Sequence, residues 1–174
     1  MDSINDVTLL IKKSSKTLWI LCGFPYSGKT YIGKKILEQT SCVYVSIDNI
    51  LTQLHYDWNT NKLPDEAGWK KVFDISYQQT QEALEKGLNV LYDSTNHTKA
   101  SRDKLREVAS SVGAYAKVIY IDVPKEVATE RWEENKKQKN RFVLDKNLLH
   151  QTMNAMEVPD SDENVIIIKN GLVE

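Results

Sequence analysis

One short segment of the sequence, GFPYSGKT from Gly23 to Thr30, has residue types and a spacing that could bind phosphate. Two glycines five positions apart are followed at once by a lysine and a threonine. Glycines let successive backbone N–H groups point into one concavity, which can hold phosphate oxygens. Because an ordered glycine costs backbone entropy, a bound ligand is the natural source of the stabilisation that offsets this cost.

The segment lies between two elements that can position it. It follows the apolar run TLWILC and precedes the helical pattern TYIGKKILEQ, whose N-terminus adds positive partial charge. In this setting Gly23-x-x-x-x-Gly28-Lys29-Thr30 is the P-loop pattern, in which the lysine reaches the β- and γ-phosphates and the threonine hydroxyl ligates Mg²⁺. A glycine turn with an incidental lysine is the alternative, and the strand–loop–helix context disfavours it. The residues predicted to hold the nucleotide in this loop are Gly23, Phe24, Pro25, Tyr26, Ser27, Gly28, Lys29 and Thr30.

Five short apolar runs predict the strands of the fold. They are TLWILC, CVYVSI, NVLYD, AKVIYID and NVIIIK, and they are nearly continuous rather than alternating, as strands covered on both faces are. Amphipathic helical patterns lie between them, and the last helix has a cap at Asp145. Strands that alternate with helices predict an α/β fold, with a five-stranded parallel sheet covered by helices on both faces. The length of 174 residues predicts one domain over residues 1–174.

Two acidic residues follow predicted strands. Asp48 comes after the second strand, and Asp93 ends the third, shortly before Asn96. Parallel strands gather ligands at their carboxyl ends, so both acids belong near the phosphates. The alternatives are that Asp48 caps the helix NILTQLH and that Asp93 is a turn residue. The position of each acid after its strand favours a functional role.

These segments, in this order, resemble the small P-loop kinases that include the phage polynucleotide kinase domain, zeta toxins, chloramphenicol phosphotransferase and seryl-tRNA(Sec) kinase. The resemblance extends from Leu18 to about Lys169, and the P-loop is its most specific part. YDSTNHTKASRDKLREVA resembles the D-x-T-N strand end of the group and the helix after it. RW…NRFV…MEVP resembles its arginine-bearing lid and closing Glu-x-Pro. The resemblance implies a P-loop NTPase fold with a small lid at about residues 134–145.

The resemblance also implies roles for individual residues. Asp48 would take the proton from the acceptor hydroxyl, and Asp93 would support the metal ion or the catalytic acid. Arg141, in the lid, would contact the transferring phosphates, and Arg131 corresponds to the nucleotide-binding helix arginine before the lid. Two alternatives stay open: Arg141 belongs to a solvated basic surface, or Arg131 forms a surface salt bridge.

The function predicted from these features is that of a kinase, which uses ATP and Mg²⁺ to phosphorylate a hydroxyl group of an acceptor. One alternative is a regulatory ATPase or switch with a protein partner, in which water is the only acceptor. A nucleic-acid 5′-hydroxyl kinase is the other. Polynucleotide kinases carry an arginine three residues after the base, where this sequence has Leu51, so a small-molecule acceptor is favoured. Sugars, nucleosides, antibiotics and tRNA-bound serine all remain candidates.

Charge and cysteine usage indicate the surroundings of the protein. The sequence has 23 Lys and Arg against 24 Asp and Glu, and a net charge of −1 attracts neither nucleic acid nor an anionic membrane. No apolar stretch is long enough to span a membrane, and the N-terminal segment lacks the charge order of a signal peptide. Cys22 and Cys42 lie in apolar runs without metal-ligand spacing, which predicts buried free thiols. A cytoplasmic location with no membrane partner is therefore expected.

Overall fold

A computed structural model describes residues 3–57, 60, 62–138 and 143–169 of the chain. The described residues form one five-stranded sheet, in which the strands lie in the order β2 (Val43–Ser46), β3 (Val90–Asp93), β1 (Thr17–Cys22), β4 (Tyr115–Asp122) and β5 (Val165–Lys169), and all neighbouring strands are parallel. The predicted five-stranded parallel sheet is therefore confirmed.

Helices cover both faces of the sheet, as predicted. Trp19 and Leu21 of β1 belong to one apolar cluster, and Leu18 and Ile20 belong to the other, because successive strand residues point to opposite faces. The first cluster includes residues of the helices Ile4–Lys12, Lys29–Leu37, Lys125–Gln138 and Lys146–Asn154, and the second includes residues of the helices Ile47–Gln53, Glu66–Glu85 and Lys99–Ser111. The helices are α1 (Ile4–Lys12), α2 (Lys29–Leu37), α3 (Ile47–Gln53), α4 (Glu66–Glu85), α5 (Lys99–Ser111), α6 (Lys125–Gln138) and α7 (Lys146–Asn154), followed by a 3₁₀ turn (Ser161–Glu163).

Side-chain caps fix the starts of the helices near the strand ends. The hydroxyl of Ser46 accepts a hydrogen bond from the backbone N–H of Asn49 and caps α3. Asp48 lies in the first turn of α3, so the alternative interpretation of Asp48 as the helix cap is wrong. The predicted cap of α7 is confirmed, because Asp145 accepts hydrogen bonds from two backbone N–H groups.

Both cysteines carry free thiols, but only one of them is fully buried. Cys22 ends β1 with no exposed surface, and burial raises the pKa of its thiol to about 11. Cys42 lies just before β2 and is half-buried, so the prediction of two buried thiols is correct for Cys22 alone. In the described part of the chain, no helix combines the length and the apolar character needed to cross a bilayer.

Candidate active site

The strand order brings the predicted site residues to one edge of the sheet. β3 lies between β2 and β1, with Asp93 in register with Ser46 on one side and with Leu21 on the other. The loop after β1 and the start of α3 therefore flank the end of β3. Residues of these segments line a common cavity of about 470 Å³, among them Lys29, Asp48 and Asp93.

The loop between β1 and α2 has a curled backbone. Gly23 has a φ of +155°, Tyr26 of +64° and Gly28 of +102°. A Cβ atom added at Gly23 would lie 2.9 Å from both the carbonyl oxygen of Ile121 and Oγ of Ser27, so a larger residue does not fit there. Because consecutive N–H groups in such a curl converge, the loop forms a concavity at the N-terminus of α2.

This concavity fits the phosphate groups of a nucleotide. The first N–H groups of α2 have no partner within the helix, and the helix start carries positive partial charge. The hydroxyl of Ser27 is buried in the loop and has no hydrogen-bond partner among the described residues. The donors that the loop offers are therefore those that phosphate oxygens accept.

The side chain of Lys29 is folded back over the loop. Its Nζ donates hydrogen bonds of 3.0 Å to the carbonyl oxygen of Gly23 and 2.7 Å to that of Phe24. The residue as a whole is 9% exposed, so its charge lies inside the concavity rather than in solvent. An entering anion would exchange neutral carbonyl partners of Lys29 for charged ones, which make stronger hydrogen bonds.

Thr30 and Asp93 form a hydrogen-bonded pair in the lining of the cavity. Oγ1 of Thr30 donates a hydrogen bond of 3.1 Å to Oδ2 of Asp93, and the hydroxyl of Tyr44 donates one of 2.6 Å to the same oxygen. Burial, with the nearby Asp93 carboxylate, raises the pKa of Tyr44, so its hydroxyl keeps the proton that it donates.

The Thr30–Asp93 pair fits Mg²⁺. A hydroxyl and a carboxylate are oxygen ligands of the kind that Mg²⁺ prefers. No group of three or more His, Cys, Asp or Glu side chains within the described ranges could hold a metal ion. Mg²⁺ would therefore take its other ligands from nucleotide oxygens and water, as is usual for this ion.

Arg131 braces the P-loop from α6. Its guanidinium donates to the carbonyl oxygens of Ser27 at 2.9 Å and Tyr26 at 3.4 Å. The hydroxyl of Tyr26 accepts a hydrogen bond of 3.2 Å from the backbone N–H of Leu144, which ties the loop to the segment before α7. Arg141 lies outside the described residues. The predicted lid covers about residues 134–145, and its first part, up to Gln138, is the end of α6.

Aromatic and aliphatic side chains form a wall of the cavity next to the exposed Asp48. Trp69 and Phe73 lie one turn apart on α4, with ring centroids 6.2 Å apart and planes inclined by 31°. Trp69 both packs on the core and lines the cavity. Leu51 is 2% exposed and packs in the core. The apolar wall consists of Ile47, Trp69, Phe73, Leu144 and Leu148.

His97 lines the cavity, although sequence reasoning left it out of the site. Burial and the charges of Arg102 and Lys29 lower its pKa, and Glu157 offsets part of this effect. The imidazole is therefore uncharged near neutral pH, where it can both donate and accept a hydrogen bond. A lone histidine in the sequence carries no signal that would separate this role from simple exposure.

Glu157 clamps the turn that carries His97. Its backbone N–H donates a hydrogen bond of 2.8 Å to the carbonyl oxygen of His97. Its carboxylate accepts a hydrogen bond from the backbone N–H of Lys99, the first residue of α5. The only sequence signal for this residue was its place in MEVP, which the resemblance included without assigning a role.

A buried ion pair fixes the other side of the same turn. Arg102 binds both carboxylate oxygens of Glu163 at 2.6 and 2.9 Å, and both side chains are fully buried. Arg102 also donates to the carbonyl oxygen of Asn96 at 3.0 Å. Nδ2 of Asn96 in turn donates to the carbonyl oxygen of Leu21 in β1 at 2.7 Å, so the turn after β3 is anchored to the strand that leads into the P-loop.

Solved structures with the same fold include kinases and a nucleotide-bound protein. A chain of the Pnkp1/Rnl/Hen1 RNA repair complex has a TM-score of 0.70 and 20% identity, covering 82% of this chain and 44% of that one. A sugar kinase from Janibacter sp. has a TM-score of 0.65 and 17% identity, covering 90% and 87%. Kti12 of Chaetomium thermophilum, in complex with ADP-AlF3, has a TM-score of 0.64 and 20% identity, covering 87% and 88%.

The chain spans less than half of the first of these proteins, the chain of the RNA repair complex. No curated protein matches the sequence. Residues 18–159 match the model of a protein family described as AAA domain, AAA_33, and this match covers the P-loop, Asp48, Asp93 and the whole Glu-x-Pro segment. The chain therefore belongs to this AAA domain family and has the P-loop NTPase fold of the small P-loop kinases.

Proposed function

We propose that the protein is a kinase that transfers the γ-phosphoryl group of ATP to a hydroxyl group of a small molecule. One observation carries this proposal: a single cavity joins the P-loop lysine, the Thr30–Asp93 pair and the exposed carboxylate of Asp48 to an apolar wall. ATP hydrolysis alone requires no room for an organic acceptor beside the phosphates. The similarity to a sugar kinase supports an acceptor of this kind.

On the nucleotide side, the loop from Gly23 to Thr30 would hold the phosphates through its backbone N–H groups. Lys29 would exchange its carbonyl partners for β- and γ-phosphate oxygens, and Arg131 would keep the loop in its curled form. Thr30 and Asp93 would hold Mg²⁺, which when bound neutralises charge on the β- and γ-oxygens.

On the acceptor side, Asp48 would orient the hydroxyl and accept its proton. A carboxylate within hydrogen-bond reach of a hydroxyl can serve as a general base, and Asp48 is exposed to the cavity. Arg141, in a lid at about residues 134–145, would contact the equatorial oxygens of the transferring group. The other contribution to the rate is the positioning of ATP and the acceptor hydroxyl relative to each other, which is a large part of catalysis in phosphoryl transfer.

A regulatory ATPase is the second candidate, because the fold is also that of Kti12, which was solved with ADP-AlF3. In that case water would be the only acceptor, and the apolar wall would contact a protein partner. The fold of a chain in an RNA repair complex raises a nucleic-acid kinase as a third candidate. Leu51 gives this third candidate no support, because it is buried in the core and carries no charge.

Transfer of label from [γ-³²P]ATP to a panel of metabolites tests the proposal. We expect label in one organic product, at a rate that depends on Mg²⁺ and is lost in Lys29→Ala. Label that appears only as inorganic phosphate, whichever metabolite is present, would favour the regulatory ATPase. The matched control is Lys34→Ala, which removes an exposed lysine from the same helix and leaves the P-loop intact.

A further inference from the structure

We propose that the acceptor is an uncharged ring compound that carries hydroxyl groups, as sugars and nucleosides do, and that anionic acceptors are excluded. This inference rests on the proposed kinase function and names the substrate class of the same cavity. Three properties of the described residues carry it: the charges around the cavity, its apolar wall and its uncharged polar groups.

The charges around the cavity disfavour an anion on the acceptor side. Its described lining contains the carboxylates of Asp48 and Asp93 and the ammonium group of Lys29. Lys29 is already bonded to P-loop carbonyls and is assigned to the nucleotide. ATP itself would add further negative charge at this place, so a carboxylate or phosphate on the acceptor would meet repulsion that a neutral molecule does not.

Among the described residues, two arginines bind segments that line the cavity, and both are bonded to protein groups. Arg102 is fully buried and binds Glu163 and the carbonyl oxygen of Asn96. Arg131 donates to carbonyl oxygens of the P-loop. Using either side chain to clamp an acceptor phosphate would require these bonds to break. Bidentate guanidinium contacts are a common way in which proteins bind a carboxylate or a phosphate.

The apolar wall suits the face of a ring. Trp69 and Phe73 present two aromatic rings to the cavity from consecutive turns of α4. Aromatic rings bury large apolar areas and pack against flat or weakly polar faces, which both nucleobases and pyranose rings offer. A volume of about 470 Å³ lies within the range of about 300–1,000 Å³ that is typical of small-molecule sites.

The polar lining is able to bind hydroxyl groups without charge. His97 contributes an imidazole that is neutral near pH 7, and Ser94, Ser101 and Thr152 contribute hydroxyls. Each of these groups can donate and accept a hydrogen bond, which matches the two-way capacity of an alcohol. Together with the apolar wall, these uncharged polar groups suit a neutral ring that carries several hydroxyl groups.

Phosphoryl transfer to matched pairs of acceptors tests the inference. The pairs differ in charge and share a ring or chain length: glucose with gluconate, and adenosine with adenosine 3′-monophosphate. We expect transfer to a neutral member, with kcat/KM at least tenfold above that of its anionic partner. Glucose as substrate would identify a sugar acceptor, and adenosine a nucleoside.

The remaining outcomes separate this inference from the proposed function. Transfer to an anionic member at an equal or higher rate, or to an organic product but no neutral member, overturns the inference and leaves the kinase function standing. Release of inorganic phosphate alone overturns both.

A variant of the wall provides a second test. Trp69→Ala should raise KM for the neutral acceptor at least tenfold and leave the Kd of ATP within twofold, because Trp69 is assigned to the acceptor and not to the nucleotide. Tyr115→Ala is the matched control, since Tyr115 is 74% exposed at the start of β4 and does not line the cavity. Equal KM values in Trp69→Ala and the unmodified protein would contradict the assignment of this wall to the acceptor.

Discussion

The hydroxyl of Thr30 donates a hydrogen bond to the carboxylate of Asp93, which lies 63 positions away in the sequence. This bond joins the first turn of the helix after the P-loop to the end of the neighbouring strand. Because Tyr44 donates to the same carboxylate oxygen, Asp93 is held from two sides. The two residues expected to hold Mg²⁺ are thus positioned by the fold itself.

The first prediction concerns this pair. Asp93→Asn keeps the size of the side chain and removes its charge, so we expect the Mg²⁺ concentration for half-maximal turnover to rise at least tenfold. Turnover measured across a Mg²⁺ titration checks this. Tyr44→Phe is the control, because it removes one hydrogen bond to the carboxylate, worth about 1.5–3 kcal/mol, and leaves the carboxylate in place. An unchanged Mg²⁺ requirement in Asp93→Asn would show that Asp93 does not support the metal.

The second prediction concerns nucleotide affinity. Lys29→Ala removes a charged donor from the phosphate concavity, and hydrogen bonds of this kind contribute about 1.5–3 kcal/mol. Calorimetry should therefore show ATP binding weakened about 10- to 150-fold. Circular dichroism and thermal unfolding should resemble those of Lys34→Ala, the exposed lysine of the same helix. Unchanged ATP affinity would contradict the P-loop assignment.

The third prediction separates catalysis from binding. Ser46 caps α3, so Asp48→Asn leaves that cap untouched and removes only the proposed base. We expect ATP affinity to stay within twofold and turnover with the identified acceptor to fall about 10²- to 10⁴-fold. Asp122→Asn is the control, since Asp122 ends the nearby strand β4 but does not line the cavity. Retained turnover in Asp48→Asn would rule out its role as base.

The fourth prediction concerns the stability that supports the site. Arg102→Ala leaves the carboxylate of Glu163 buried without its partner, which typically costs about 3–5 kcal/mol in the free energy of unfolding. Urea denaturation checks this. Breaking the exposed pair of Lys104 and Glu107 by Lys104→Ala should cost less than about 1 kcal/mol. Similar losses in the two variants would contradict a structural role for the buried pair.

The Arg102–Glu163 pair also predicts that the free energy of unfolding falls at acid pH. Burial alone would raise the pKa of Glu163, but hydrogen bonds from Arg102 and from the backbone of Asp160 outweigh this and hold it below the ordinary value of 4.5. A lowered pKa in the folded state contributes stability that is complete above pH 4.5 and is lost as the pH falls through the folded-state pKa. Urea midpoints between pH 7 and about pH 3 should therefore fall less steeply in Glu163→Gln. If the urea midpoint falls equally in Glu163→Gln and in the unmodified protein, other carboxylates cause the loss of stability at acid pH.

The sequence predicted the elements well because their signals are local. Each of the five apolar runs became a strand, and the P-loop follows the first of them. The rule that ligands gather at the carboxyl ends of parallel strands correctly placed Asp48 and Asp93 beside the loop. The boundary after β2 was less accurate, because Ile47 continues the apolar run and yet begins α3, where Ser46 provides the cap.

Other features of the site depend on contacts that local patterns do not encode. Glu157 meets Lys99 across 58 positions of sequence, and no periodicity signals such a clamp. Phe73 lines the cavity, but the sequence does not show this, because a helix residue that lines a cavity has the same spacing as one that fills a core. His97 depends on the turn after β3, which is held by Asn96 at a φ of +47°.

The order of the strands indicates which parts of the protein can be substituted without affecting nucleotide binding. The nucleotide is assigned to β1 and β3 in the interior of the sheet, whereas Asp48 follows β2 at its edge. An edge strand has a neighbour on one side only. Substitutions in the helix after it, or in the α4 residues of the apolar wall, therefore have little effect on the central strands. Grafting a new acceptor specificity onto this scaffold should therefore begin with substitutions in α3 and α4. The P-loop and the Thr30–Asp93 pair, which are assigned to ATP and Mg²⁺, would stay unchanged.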